Sequence, residues 1–428
     1  MLKKLTFFFL FFLPFQFALH PTDGIDLPII RIFATILFLF WCVQGLVKKH
    51  ISLPSPSTLF FFLAFLFWAI ASIFWAEKSE WAIRKILFLL SFFPLFLVFA
   101  DLLQEKVFRE KAARYIAFGV LLSASLSLIL FCMQFVFGVE KVFAFLVKSV
   151  LPFFLGPNFG AVVAEYPSLL VNISGRTVLR ATGFFPDPHM FSFFLGMSLF
   201  LILFVAEKSV GKIRHLFVLG AIIVLIADLL TFSRGGYIGL IVGLSAFSFP
   251  FLFRYIKKRK SFFFASSIVL LFGTIVLLSP IGTRLFSSFS QTDASNKERL
   301  RLWEMTADFV GEHPLLGSGL GNYPLTVKPT ATYREPIYAH NTYLDVAGEL
   351  GLPGLFFFEG LLFLGIVSAW RRWYKKGETL FLAVFSSLLL FSSHAIFETP
   401  LFSVHILPLL LFFLALGVYS KEKTQEST

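Results

Sequence analysis

Long apolar runs alternate with short polar joints along almost the whole chain. Twelve of them approach the roughly 20 residues needed to cross ~30 Å of hydrocarbon. They are residues 5–19, 27–47, 58–75, 81–100, 114–137, 184–206, 215–231, 235–253, 261–280, 352–370, 379–397 and 402–419. The pattern predicts an all-α polytopic membrane protein with about twelve transmembrane helices in four regions. These are an N-terminal transmembrane bundle (1–183) with an extracytoplasmic segment (138–183), central transmembrane helices (184–280), an extracytoplasmic loop carrying short helices (281–351), and C-terminal transmembrane helices with a short cytoplasmic tail (352–428). The first run follows Lys3 and Lys4 and reads as a retained span, because no small-x-small cleavage site comes after it; a cleaved signal sequence is the alternative. Residues 142–154 are moderately apolar and read as an interfacial or re-entrant helix.

Composition agrees with the pattern. The 428 residues are 57% hydrophobic and include 62 phenylalanines, more apolar surface than a soluble domain of this size can hide. A net charge of +12 would point to nucleic acid in a soluble protein. Here the basic residues crowd into alternate joints, such as Lys106/Arg109/Lys111/Arg114 and Arg371/Arg372/Lys375/Lys376. With both termini placed in the cytoplasm, 22 of the 37 lysines and arginines fall on that side, as the positive-inside rule requires. Lys78, Arg84 and Lys85 are the exception. This charge implies no nucleic acid, and it places 281–351 outside. A thirteenth span at 142–154 would break the alternation. Cys42 and Cys132 lie inside apolar runs, so no structural disulfide is expected.

The polar intervals hold the candidate chemistry. In TFSRGGYIG, Arg234 sits where one span leaves the membrane and the next enters. An arginine at that depth is costly unless it is paired or faces a polar cavity; snorkelling to headgroups is the alternative. Gly235 and Gly236 permit a tight turn. KERLRLWEMTADFVGEH reads as a helix on the outer membrane surface, with Leu300, Trp303, Met305 and Phe309 partly on one face and Glu298, Asp308 and Glu312 on another. Its Arg299 and Arg301 suit bidentate phosphate contacts, with surface ion pairs or cation–π contacts as the plainer alternative.

The turn at Gly317, Gly319 and Gly321 has no preceding strand and no Walker lysine, so it is no nucleotide fingerprint. It reads as a corner whose amides are able to face an anion. His340 opens HNTYLDVAGELGLPG, where Asn341, Asp345 and Glu349 recur every four residues and Tyr343 shares the face of His340. In a polar loop with acidic neighbours, His340 is the leading candidate for proton exchange. His189 and His394, the latter close to Glu398, are rivals. Asp187 and His189 would make a metal pair, yet no third ligand is evident, and no metal or other cofactor is expected. Motifs of serine hydrolases and zincins are missing. The residues thus point to anion binding with acid–base help at an outer membrane surface.

TFSRGG, ERLRLWEMTADFVGEHPLLGSGLGNYP and HNTYLDVAGELGLPG, in that order and spacing, resemble the O-antigen ligase and O-antigen polymerase superfamily, over roughly residues 229–358. The resemblance implies a GT-C-like, metal-independent inverting glycosyltransferase. Such an enzyme moves a glycan from undecaprenyl pyrophosphate to an acceptor hydroxyl of lipid A core or a similar glycolipid or glycan. It works on the outer face of the bacterial cytoplasmic membrane. By motif position, His340 would be the catalytic base and Arg234 and Arg299 would hold the donor pyrophosphate. Arg180, ahead of Gly183-Phe184-Phe185, and Arg301, two past the matching position, are carried as support. So are Asn341, Tyr343, Asp345, Gly317, Gly319 and Gly321. Asp187-Pro188-His189 stands where many relatives place an asparagine-containing turn. A polymerase joining lipid-linked repeats is the second enzyme reading. A polysaccharide or lipid transporter is the reading from another class, and it calls for mid-span charges and inverted repeats. Asp228 and Glu359 are the nearest approach to the former, and no repeat is visible.

Overall fold

The computed structural model describes residues 1–22, 25–165, 167–173, 175–256, 294–333, 335 and 337–419. The run expected at 261–280, residues 281–293 of the polar loop and the C-terminal tail lie outside the described residues.

Among the described residues, six helices are long and apolar enough to cross a membrane: Ile29–Lys48, Pro56–Phe74, Ser79–Leu102, Lys106–Phe137, Pro188–Lys208 and Thr342–Lys376. Two shorter apolar helices, Thr379–His394 and Ile406–Val418, join them. Gly211–Leu229 and Arg234–Ile256 occupy two further expected runs. The interior is built around Pro188–Lys208 and Ile406–Val418; every residue of the latter is buried. Pro188–Lys208 packs on Lys106–Phe137, Gly211–Leu229 and Thr379–His394, and Thr379–His394 packs in turn on Arg234–Ile256 and Thr342–Lys376. Phenylalanine fills much of this interior, as in the stacked rings of Phe62, Phe93 and Phe96.

The first expected span differs from what forms. The helix covers Leu2–Phe12 only, a rise of about 17 Å. Leu13 keeps helical angles, but Pro14 has no N–H to continue the hydrogen-bond ladder, and the helix stops there. The chain then turns into an antiparallel hairpin, Ala18–Thr22 with Ile25–Pro28. The short helix lies on Lys106–Phe137, with Phe7 stacked on Phe108 and Tyr115 and Lys3 bonded to Glu105. Residues 139–165 fold as short helices, Val139–Phe145, Leu151–Leu155 and Pro157–Glu165, with a π-turn at Leu146–Val150 and a small apolar core of their own.

Six helix ends meet at one end of the bundle. They are the starts of Pro188–Lys208, Arg234–Ile256, Thr342–Lys376 and Ile406–Val418, and the finishes of Gly211–Leu229 and Thr379–His394. The opposite ends of these helices carry Lys208, Lys212, Arg214, Arg371, Arg372, Lys375 and Lys376. Polar chemistry and basic anchors are therefore segregated to opposite ends.

One corner braces the polar end. Thr342–Lys376 is broken at Gly351 (φ 67°, ψ −177°), two residues before Pro353. The break receives the turn at residues 314–321. Leu352 N–H donates to the Pro314 carbonyl at 2.7 Å and Ser318 N–H to the Gly348 carbonyl at 2.8 Å, while Trp68 Nε1 donates to the Leu350 carbonyl at 2.7 Å. A Cβ on Gly351 would stand 2.3 Å from the Leu315 carbonyl oxygen, and one on Gly317 (φ +64°) 2.7 Å from that of Gly348. The glycine-studded turn is thus a close backbone-on-backbone corner. Gly351→Ala should lower stability by ~2 kcal/mol or more, because it adds a clash to a disfavoured backbone angle. Thermal unfolding of the detergent-solubilised protein reads this directly, and an unchanged midpoint would contradict the packing.

Candidate active site

The Ala294–Glu312 helix lies across the polar end of the bundle. Its inward face is Arg299, Leu302, Trp303 and Thr306, with Leu302 and Thr306 buried while Leu300 is 52% exposed. The apolar face drawn from Leu300 and Met305 is therefore rotated from the one that packs. Trp303 Nε1 donates to the Ala339 carbonyl at 2.9 Å, which ties the helix to the residue before His340.

His340 stands just outside the next helix. Asn341 is its N-cap, its side-chain oxygen accepting from the Tyr343 and Leu344 amides, a standard role for asparagine. His340 itself has φ +51°, a left-handed angle rare for a side chain of its size. Several bonds hold it there. Asp345 accepts from the Ala339 amide at 2.7 Å and from the Thr399 hydroxyl. Thr342 donates through its hydroxyl to the Glu398 carbonyl at 2.8 Å, and the Tyr343 hydroxyl donates to the Ser392 carbonyl.

At the centre is a residue that the motifs do not contain. Glu398 is 4% exposed. It accepts from Arg299 Nη2 at 2.5 Å on Oε1 and from His340 Nδ1 at 3.0 Å on Oε2. His189 Nδ1 lies 3.7 Å from Oε1. His189 Nδ1 is also 2.8 Å from Ser233 Oγ, which in turn is 3.4 Å from His394 Nε2. Burial works to raise the Glu398 carboxyl, but His189, His340 and Arg299 outweigh it and hold the group well below the ordinary carboxylate range. Burial also works against the charged His340 ring, and here Glu398 prevails, so His340 is raised above the usual imidazole value.

The structure brings only some of the sequence-predicted residues together. Arg299 and His340 meet on Glu398. Arg234 is buried at the head of its helix, beside Ser233; a Cβ on its neighbour Gly235 would touch His394 and Phe397. Arg180 is also buried and braces the same turn, its Nε donating to the Thr231 carbonyl at 2.6 Å and its Nη1 to the Ser168 carbonyl at 2.9 Å. Arg301 points away and forms an exposed pair with Glu298 at 2.7 Å. Gly317, Gly319 and Gly321 form the corner described above. The Asp187–His189 pair is explained by capping, since Asp187 Oδ1 accepts from the His189 and Met190 amides.

The arrangement is suited to one chemistry. With Nδ1–H donated to a carboxylate, the imidazole presents Nε2 as a proton acceptor, and the proton it gains is stabilised by the same carboxylate. The Arg299 fork has more N–H donors than the one Glu398 uses, and an anion beside it would be gripped in a poorly hydrated setting. Glu398 left one signal in the sequence: it is the single acidic residue between two apolar runs, at 379–397 and 402–419, where an ionisable group is expensive unless it has a function or a partner.

The O-antigen ligase family model matches residues 219–358, about a third of the chain. The matched stretch contains Arg234, Arg299 and His340 and stops short of Glu398. A search of curated proteins found no match. The match and the motif order agree: residues 219–358 carry an O-antigen ligase domain, set in a membrane protein of apolar helices.

Proposed function

We propose that the chain transfers a glycan from undecaprenyl pyrophosphate to an acceptor hydroxyl, ligase-fashion, at the extracytoplasmic face of the bacterial cytoplasmic membrane. The observation that carries this reading is the convergence of Arg299 and His340 on buried Glu398. The segregation of basic residues to the far helix ends supports an outward-facing site.

The acceptor hydroxyl attacks the anomeric carbon and loses its proton to His340 Nε2. The bond from that carbon to the pyrophosphate oxygen breaks, and the pyrophosphate leaves with the electron pair. Attack opposite the leaving group inverts the anomeric centre. Negative charge grows on the pyrophosphate, where Arg299 and Arg234 stabilise it more in the transition state than in the ground state. Glu398 fixes the imidazole tautomer and compensates the imidazolium. The guanidinium groups supply the electrophilic assistance, so the scheme needs no metal. The polyprenyl chain is accommodated along the lipid-facing, phenylalanine-rich flanks.

His340→Ala should lower transfer by ~100- to 10,000-fold, the range of a lost general base, with membrane insertion unchanged; full activity would remove the proton-acceptor role. Activity that needs a neutral imidazole falls as pH drops through the raised His340 value. In Glu398→Gln, burial and Arg299 act without that opposition, so the acidic limb of kcat/KM should move to lower pH while the plateau falls about 10-fold or more. A limb that stays put or moves up would contradict the pairing. Arg299→Lys and Arg234→Lys should each reduce kcat/KM for the lipid-linked donor by about 10- to 100-fold, since an ammonium cannot reproduce the fork; unchanged turnover would rule out the assignment. In a deletion strain, lipid-linked polymer that never reaches its acceptor is expected, whereas accumulation of single repeats would assign a polymerase.

A further inference from the structure

Glu398 Oε1 faces two donors and uses one of them. Arg299 Nη2 bonds it at 2.5 Å, and His189 Nδ1 stands off at 3.7 Å from the same oxygen. Either bidentate edge of a guanidinium includes Nη2, so an anion gripped by Arg299 draws on the nitrogen that Glu398 holds. Whatever share of Arg299 the anion takes is lost to Oε1. The mechanism above gives His189 no part, although it is the other donor facing that oxygen.

Where the His189 proton sits follows from Ser233. Its hydroxyl accepts from the Gly236 amide at 3.2 Å, and it stands 2.8 Å from His189 Nδ1 and 3.4 Å from His394 Nε2. A hydroxyl has one proton to give, so one of the two rings must donate to it. If Ser233 donated to His189, a bare Nδ1 would turn its lone pair toward a buried carboxylate. If Ser233 donates to His394 Nε2, His189 Nδ1 carries a proton and the repulsion becomes an attraction. His394 does not decide between these. It is fully buried, its ring is stacked at 3.6 Å on that of Phe193, and its Nδ1 has no partner in either arrangement. Glu398 decides, and the order is His189 Nδ1–H to Ser233 Oγ, then Ser233 Oγ–H to His394 Nε2.

The ring is held close to Glu398 by its own backbone. Asp187 Oδ1 caps the helix through the His189 and Met190 amides. The charged and titratable groups facing His189 from the surrounding elements are Glu398, Arg180, Arg299 and His394. Those facing His340 are Glu398, Arg299 and Asp345. The two imidazoles therefore share Glu398 and Arg299, with His340 on Oε2 and His189 beside Oε1.

We propose that His189 is a positioning residue, a second donor that turns from Ser233 Oγ to Glu398 Oε1 when the pyrophosphate draws on Arg299. No proton changes owner in this exchange. The His189 Nδ1–H leaves one acceptor for another, and Ser233 keeps its bonds to His394 and to the Gly236 amide. Glu398 thereby stays compensated on Oε1 while His340 takes up the proton of the acceptor hydroxyl. The moment of the exchange rests on the glycosyl-transfer reading above, while the place of the His189 proton rests on the hydrogen bonds alone.

Two measurements on the full chain in lipid nanodiscs test this. ¹⁵N NMR of histidine-labelled protein without donor, with signals assigned by their loss in His189→Asn and His394→Gln, should show a proton on His189 Nδ1 and a bare His394 Nε2. A bare His189 Nδ1 would overturn the proposal. In transfer from lipid-linked donor, His189→Leu should lower kcat by about 10- to 100-fold, the worth of a hydrogen bond to a charged group, with KM for the donor within about twofold. His189→Asn, whose Nδ2 puts an N–H in the place of Nδ1, should restore kcat to within about fivefold of the unaltered chain. Once Arg299 is engaged, Glu398 without His189 is a stronger charge beside His340 and holds its proton harder. The acidic limb of kcat in His189→Leu should therefore move to higher pH, while that of kcat/KM, which reports the free enzyme, stays in place. Unchanged kcat, a change confined to KM, or an asparagine variant no better than the leucine one would overturn the proposal. Limbs that move together, or not at all, would make His189 merely structural and overturn it as well. Should His189→Leu fail to insert, the tautomer and the kcat of His189→Asn decide. No transfer by the unaltered chain would remove the glycosyl-transfer reading and this role with it, whereas transfer with a bare His189 Nδ1 would remove this role alone.

Discussion

A carboxylate taken out of water loses several kcal/mol of solvation, and it stays ionised only where enough positive charge and hydrogen bonding are assembled around it. Glu398 is such a carboxylate. Arg299, His340 and His189 arrive at it from three separate parts of the chain: a surface helix, the loop before Thr342–Lys376, and the first turn of Pro188–Lys208. Removing any one leaves the others facing an under-compensated charge. The polar end of the bundle is therefore a mutual arrangement in which each member needs the rest to be in place.

The surrounding structure serves that arrangement. The break at Gly351 bends Thr342–Lys376 under the turn at 314–321, and so fixes the level at which Thr342 and Asn341 present His340. Arg180, directly after the short strand Arg176–Leu179, bonds to the Thr231 carbonyl, which sets the turn that carries Ser233 and Arg234. Among the described residues, two of the three non-glycine positions with positive φ, Phe232 and His340, flank the cluster. Strained backbone of this kind persists only where neighbouring contacts over-determine it, and here capping and tertiary hydrogen bonds do so.

Much of this was legible in the amino-acid order. Apolar runs gave the helices, because a span must satisfy its own backbone in lipid and so leaves a length signature. Arg299 and His340 stood out as charge and imidazole in polar intervals. Other features were hidden for physical reasons. The apolar run at 5–19 continues through Pro14, which ends the helix without changing hydropathy. The inward face of Ala294–Glu312 was misdrawn because Thr306 is buried through hydrogen bonds to Leu302 and Tyr323, which a hydrophobic pattern does not register. Arg301 resembled Arg299 in type and lies two positions away, about 200° around the helix, which turns it to solvent. Glu398 is 58 residues from His340, and only the tertiary fold brings the two together.

The most direct test of the orienting role of Glu398 is the tautomer of His340. ¹⁵N NMR of histidine-labelled protein in nanodiscs at alkaline pH, with the His340 signals assigned by their loss in His340→Asn, distinguishes the two neutral forms. The account predicts proton on Nδ1 and a bare Nε2 facing the site. A proton on Nε2, with Nδ1 bare toward Glu398, would contradict it.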